Sequence, residues 1–291
     1  MSRLLTLACM FSLVATQSAR AEEWRTITPD VIYGHKAGMA LTYDVVQPVK
    51  SPKGVAVLFM MSGGWVSPWS PPESIVRPAP KNHNLFEKIV DHGYTLIIVR
   101  HGSSPYFKVP DAVSDVKLAI RHIRSNAERF HVDPNRIGVC GGSAGGHLSL
   151  CLGTMGEDGD PNSSDPLNQV SSRVQAVAAY FPPTDIREYV NHETLSKTFP
   201  AIVFPTEEAP GISPLLAVTS DDAPSLLIHG DKDELVPISH SERQKEAMDK
   251  VGVRCELIVV KGAAHGFNPE QTQQAEAALI AWFDEHLKAQ N

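Results

Sequence analysis

The chain has 291 residues and a formal net charge of -7, enough length to bury a sizeable single core. The modestly acidic balance and the lack of any run of like charge argue against a nucleic-acid partner, while a small neutral or cationic ligand stays open.

At the N-terminus, Arg3 precedes an apolar run over residues 4–15, followed by "SARA", in which Ala19 and Ala21 match a small-x-small cleavage pattern. The run is too short to span a bilayer. Residues 1–21 are therefore expected to be a cleaved export signal, and 22–291 a single domain, periplasmic or extracellular, with no stable membrane anchor. Cys9 falls inside the apolar run, which argues against lipid attachment. Cleavage leaves Cys140, Cys151 and Cys255 without close spacing, and the twelve His include no HExxH, so neither a metal nor a cofactor is expected. The "DGDPNS" stretch from Asp158 departs from a calcium loop: Ser163 stands where the sharp turn needs Gly, and Gln169 where a bidentate Glu belongs.

Runs rich in Val, Ile and Leu predict strands at 41–46, 55–60, 95–100, 137–140, 176–181, 225–229 and 256–260. Helical spacing predicts helices at 85–92, along the apolar stripe from Ala112 to Ala127, after Ser143, and at 239–251 and 270–288. This alternation implies an α/β fold with a mostly parallel sheet covered by helices on both faces. Two segments stand outside it. Residues 62–80 are too rich in Pro and Gly for helix or strand, and 186–223 form an insertion between two strands. Both are candidates to shape a pocket beyond the carboxyl ends of the strands.

Gly141, Gly142, Ser143, Ala144 and Gly145 form a G-x-S-x-G motif between a predicted strand and helix. That setting fits a nucleophile elbow: the serine takes a strained backbone conformation, and side chains two residues before or after it would collide with strand or helix. A serine hydroxyl needs a base to take its proton. Loops beyond two later strands supply Asp231, Asp233 and Glu234, and then His265, in the chain order serine, acid, histidine. The amides of Ala144, Gly63 and Gly64 are placed to form an oxyanion hole.

The motifs "VLFMMSGGW", "GVCGGSAGGHLSL", "LIHGDKDELVP" and "GAAHGF" resemble those of the α/β-hydrolase superfamily. With "RVQAVAAYFPPTDI" they are most similar to its bacterial feruloyl-esterase-like branch, related to the hormone-sensitive-lipase-like esterases. The resemblance implies Ser143 as nucleophile, Asp233 as the acid because the pattern is H-G-x-x-D, His265 as base, and a small cap-like insertion on the fold. Two departures concern specificity. Met61 and Ser62 replace the usual His and first Gly of the oxyanion loop, and "VRHGSSPYF" stands where the family has "NYRL". In the family's strand order, two strands separate those of Cys140 and Cys255, roughly 14 Å, too far for a disulfide. Unpaired, mostly buried thiols are expected.

The implied reaction is carboxylic-ester hydrolysis through an acyl-enzyme, on acetyl or feruloyl esters of carbohydrates. Trp65, Trp69, Tyr106 and Phe107 are candidates for an aromatic wall against a sugar or phenolic ring. The alternatives are a serine peptidase of the prolyl-oligopeptidase type, which usually carries a large extra domain, and a non-catalytic binding protein on the same scaffold. Oligomeric state has no signature in the sequence.

Overall fold

The computed structural model describes residues 25–76 and 84–289; the expected export signal lies outside them. The strands are β1 (Arg25–Lys36), β2 (Met39–Pro48), β3 (Ala56–Met60), β4 (Thr95–Val99), β5 (Ile137–Gly142), β6 (Ala176–Tyr180), β7 (Ser225–Gly230) and β8 (Cys255–Val260). They form one eight-stranded sheet in the order β1-β2-β4-β3-β5-β6-β7-β8. β2 pairs antiparallel with β1 and β4, and the remaining pairings are parallel.

Burial on both faces explains why the inner strands read as continuous apolar runs. Along β4, Leu96 and Ile98 face one cluster while Ile97 and Val99 face the other. The first cluster is completed by Ile89 of α2 (Leu85–Asp91) and by Leu279 and Phe283 of α7 (Pro269–His286). The second takes Ile120 and Ile123 of α3 (Val109–Ser125), Leu148 of α4 (Ala144–Thr154) and Met248 of α6 (Ser239–Lys250). The predicted stripe of α3 is thus its buried face, since residues three and four apart share one side of a helix.

Two expectations need correction. β1 was absent from the predicted strands, because only Val31 and Tyr33 in it are buried and two register shifts break its alternation. The Pro-rich segment is not free of structure: it holds a short helix, α1 (Pro72–Ile75), and a Gly63–Val66 bridge, although its last residues lie outside the described part. The insertion has local structure of its own. It carries α5 (Leu195–Thr198) and short 3-10 turns, including Pro200–Ile202 and Thr206–Ile212, whose Ala201, Ile202, Ala209 and Ile212 enter the second cluster.

Candidate active site

Ser143 sits between the last residue of β5 and the first of α4 with φ 53° and ψ -119°, a conformation that L-residues rarely hold. Hydrogen bonds fix it from both sides: its amide donates to Tyr180 O and its carbonyl accepts from His147 N, each at 2.9 Å. The flanking glycines are sterically required. A Cβ on Gly141 would lie 2.6 Å from the Gly145 carbonyl carbon, and one on Gly145 would lie 2.5 Å from Met60 O.

His265 reaches this serine from the loop before α7. That loop is held by a reciprocal cap: Asn268 Oδ1 accepts from Gln271 N, and Gln271 Oε1 accepts from Asn268 N, both at 3.0 Å. His265 Nε2 lies 2.9 Å from Ser143 Oγ, and Nδ1 lies 2.7 Å from Asp233 Oδ2. Because a carboxylate only accepts, Nδ1 carries the proton and Nε2 is left to accept from the serine hydroxyl. Asp233 is buried and cannot swing away, since its Oδ1 accepts from the amides of Leu235 (3.0 Å) and Val236 (2.9 Å).

A second histidine, this one buried, lies behind the carboxylate. His229 Nε2 is 3.3 Å from Asp233 Oδ2 and donates to Val236 O at 2.8 Å, while its Nδ1 accepts from Ser241 Oγ at 2.7 Å. Burial pushes its pKa down. Sequence reasoning noted the His of H-G-x-x-D only as part of a pattern, and the structure shows it bracing the acid loop. Asp231 does a different job: it accepts from Gly262 N at 2.6 Å, a bond that holds its carboxyl below the usual range and ties the loops after β7 and β8. Glu234 is exposed. Of the three acidic candidates, only Asp233 meets His265.

The oxyanion loop differs from expectation. Gly63 N donates to Val66 O at 2.9 Å, which takes its amide out of the free donor set. The amides of Gly64 and Ala144 make no hydrogen bond among the described residues. Ser62, one of the replacements in this loop, bonds through Oγ to His101 Nε2 at 2.8 Å, and His101 Nδ1 donates to Gly102 O at 2.8 Å. His101 comes from the "VRHGSSPYF" stretch, so the two departures from the family pattern meet in one contact.

Of the expected aromatic wall only Trp65 borders a cavity at Ser143, the smaller of two. Trp65 is buried against His147, Trp69 donates from an exposed position to Asp30 Oδ1 at 3.0 Å, Tyr106 is exposed, and Phe107 covers the Lys36 ammonium. The rings that do line the cleft beside Ser143 are Phe59, Phe181 and Phe199. Phe181 takes φ 37° and places its ring 4.6 Å from that of His265. Its position just after β6, at a strand's carboxyl end, was a usable signal; Phe199 in the insertion had none. The cleft holds about 570 Å³, and a separate compartment of about 30 Å³ also borders Ser143.

Cys140, Cys151 and Cys255 are free and buried, with β6 and β7 standing between β5 and β8. Burial pushes their thiols up, that of Cys255 to about 12. Among the described residues no group of His, Cys, Asp and Glu is arranged to hold a metal, and no helix is long and apolar enough to cross a membrane.

The sheet order, the elbow and the loops that bring serine, histidine and aspartate into contact define an α/β-hydrolase fold. Residues 43–248 match the BD-FAE family model, and the chain belongs to that family. It is similar to esterase LipQ of Mycobacterium tuberculosis, 28% identical over 70% of this chain and 50% of that protein. It is also similar to an acetylxylan esterase of Xylanibacter ruminicola, 24% identical over 75% of this chain and 42% of that protein. The chain thus spans about half the length of the curated relatives it matches. Among solved structures, a truncated carbohydrate esterase from gut microbiota superposes with a TM-score of 0.73 at 26% identity, covering 91% of this chain and 98% of that one.

Proposed function

We propose that this chain is an exported serine carboxylesterase acting on acetyl or feruloyl esters of carbohydrates. The observation that carries the reading is the unbroken contact from Asp233 through His265 to Ser143, at 2.7 and 2.9 Å. The esterase names of similar proteins support it, and the Arg3, apolar-run and Ala-x-Ala pattern supports export.

In the first half-reaction Ser143 Oγ attacks the ester carbonyl carbon while its proton passes to His265 Nε2. The carbonyl oxygen, now negative, faces the free amides of Gly64 and Ala144 at the N-terminus of α4. Collapse breaks the carbon–oxygen bond to the alcohol, which leaves with the proton from His265. Water then repeats the sequence on the acyl-enzyme, releasing the acid and restoring Ser143. Asp233 keeps the imidazole in the required tautomer and stabilises its charged form.

The test is release of acetate from acetylated xylan and of ferulate from methyl ferulate by residues 22–291, beside prolyl amide substrates. Acid release from either ester supports the reading. Cleavage confined to the amides would move the assignment to a serine peptidase.

A further inference from the structure

We infer that Phe199 closes the acyl side of the site and restricts the reaction to acetyl esters while the alcohol side stays open. This rests on the ester-hydrolase reading of Ser143 and narrows it.

Two cavities meet at Ser143, and they are chemically unequal. The cleft of about 570 Å³ includes His265 in its wall; the compartment of about 30 Å³ does not. When the tetrahedral intermediate collapses, the departing alcohol oxygen must take its proton from His265 Nε2, so the alcohol belongs in the wide cleft. The acyl substituent then points into the small compartment. A cavity needs about 10–15 Å³ to admit one water, and an apolar cavity of about 150 Å³ takes up benzene, so about 30 Å³ is enough for the methyl of an acetyl group and too little for a feruloyl ring.

Phe199 borders both cavities, as do Gly64, Ser143 and Leu235, and is the largest side chain of the four. It stands directly on the oxyanion loop: a Cβ on Gly64 would lie 2.7 Å from Phe199 Cδ1. The ring is an anchored wall. Its amide donates to Leu195 O at 2.7 Å, its carbonyl accepts from Ile202 N at 3.1 Å, and Lys108 Nζ donates to the next carbonyl, Pro200 O, at 2.9 Å. Ala201 and Ile202 are buried behind it. Removing the ring would join the small compartment to the cleft.

The experiment is kcat/KM for p-nitrophenyl acetate, butyrate and octanoate and for methyl ferulate, on wild type, Phe199→Ala and Phe199→Leu. The three p-nitrophenyl esters share one leaving group, so their ratios report the acyl side alone. Wild type should prefer acetate over butyrate by about 100-fold, the scale on which a tight apolar pocket discriminates chain length, and should leave methyl ferulate intact. Phe199→Ala should lower the acetate-to-butyrate ratio by about 10-fold or more, with Phe199→Leu between. Wild type that takes butyrate or methyl ferulate as readily as acetate overturns the inference while the esterase reading stands. So does a folded Phe199 variant with an unchanged ratio. Wild type inert on every ester overturns both.

Discussion

Trp65 Nε1 donates to His147 Nδ1 across 3.3 Å, and the other nitrogen of the same ring donates to Ile212 O across 2.8 Å. One fully buried imidazole therefore joins the oxyanion loop, the helix that follows Ser143 and the insertion. His147→Ala would orphan a buried donor and a buried acceptor and leave a cavity. It should cost about 3 kcal/mol of stability, read as a lowered urea midpoint.

Burial, opposed by the bond to Ile212, pushes the His147 pKa down to about 4. The unfolded chain binds this proton below about pH 6.5, whereas the folded chain resists it down to about 4. The associated stability is present above about pH 6.5 and is lost as the pH falls towards 4, by about 3 kcal/mol. His240, pushed down to about 4 chiefly by burial, adds to the same window. Urea midpoints at pH 7, 5.5 and 4.5 should fall steeply for wild type and less steeply for a His147→Gln variant. Parallel slopes would remove His147 from the account.

The two aspartates of the loop after β7 separate cleanly. Asp233→Asn removes the acceptor that sets the His265 tautomer and should lower kcat by about 10⁴-fold. Asp231→Asn keeps an oxygen that can accept from Gly262 N and loses only the negative charge and a partial pairing with Lys261, so its kcat should stay within about threefold of wild type, the scale of a surface contact. Steady-state kinetics on one ester decides between them; equal losses would contradict the assignment.

Asp44 and Arg100 are both buried and pair at 2.5 Å, and Asp44 Oδ1 also accepts from Asp30 N at 2.9 Å. Arg100 donates in turn to Ser70 O at 3.2 Å. Asp44→Ala would strand a buried guanidinium and loosen β1 and the Pro-rich loop together, at a cost of about 3–5 kcal/mol. Thermal unfolding checks it, and a change below about 1 kcal/mol, within the range of exposed pairs, would contradict it.

What the sequence disclosed follows from burial. The strands β3 to β7 read as apolar runs because helices cover both their faces, β8 reads so although Ile258 and Val259 are exposed at the sheet edge, and Ser143, Asp233 and His265 were legible because each follows the carboxyl end of a strand. β1 was hidden because it sits at the sheet edge, half exposed and interrupted by bulges. The Gly63 amide was misjudged because a sequence shows which backbone may approach a substrate and not which carbonyl captures it. The aromatic wall was mostly misjudged for a related reason: Trp65 borders the small compartment from a buried place against His147, a contact between residues 82 apart in the chain, and Phe199 entered the site from an insertion without periodic signal.

The most direct test is hydrolysis of p-nitrophenyl acetate by residues 22–291, with Ser143→Ala and its unfolding midpoint measured in parallel. The predicted result is turnover by wild type, with an acetyl group found on Ser143 by mass spectrometry after rapid quenching, and a loss of about 10⁴-fold or more in a variant that still folds. Undiminished turnover by Ser143→Ala, or an acetyl group on another residue, would contradict the role given to Ser143.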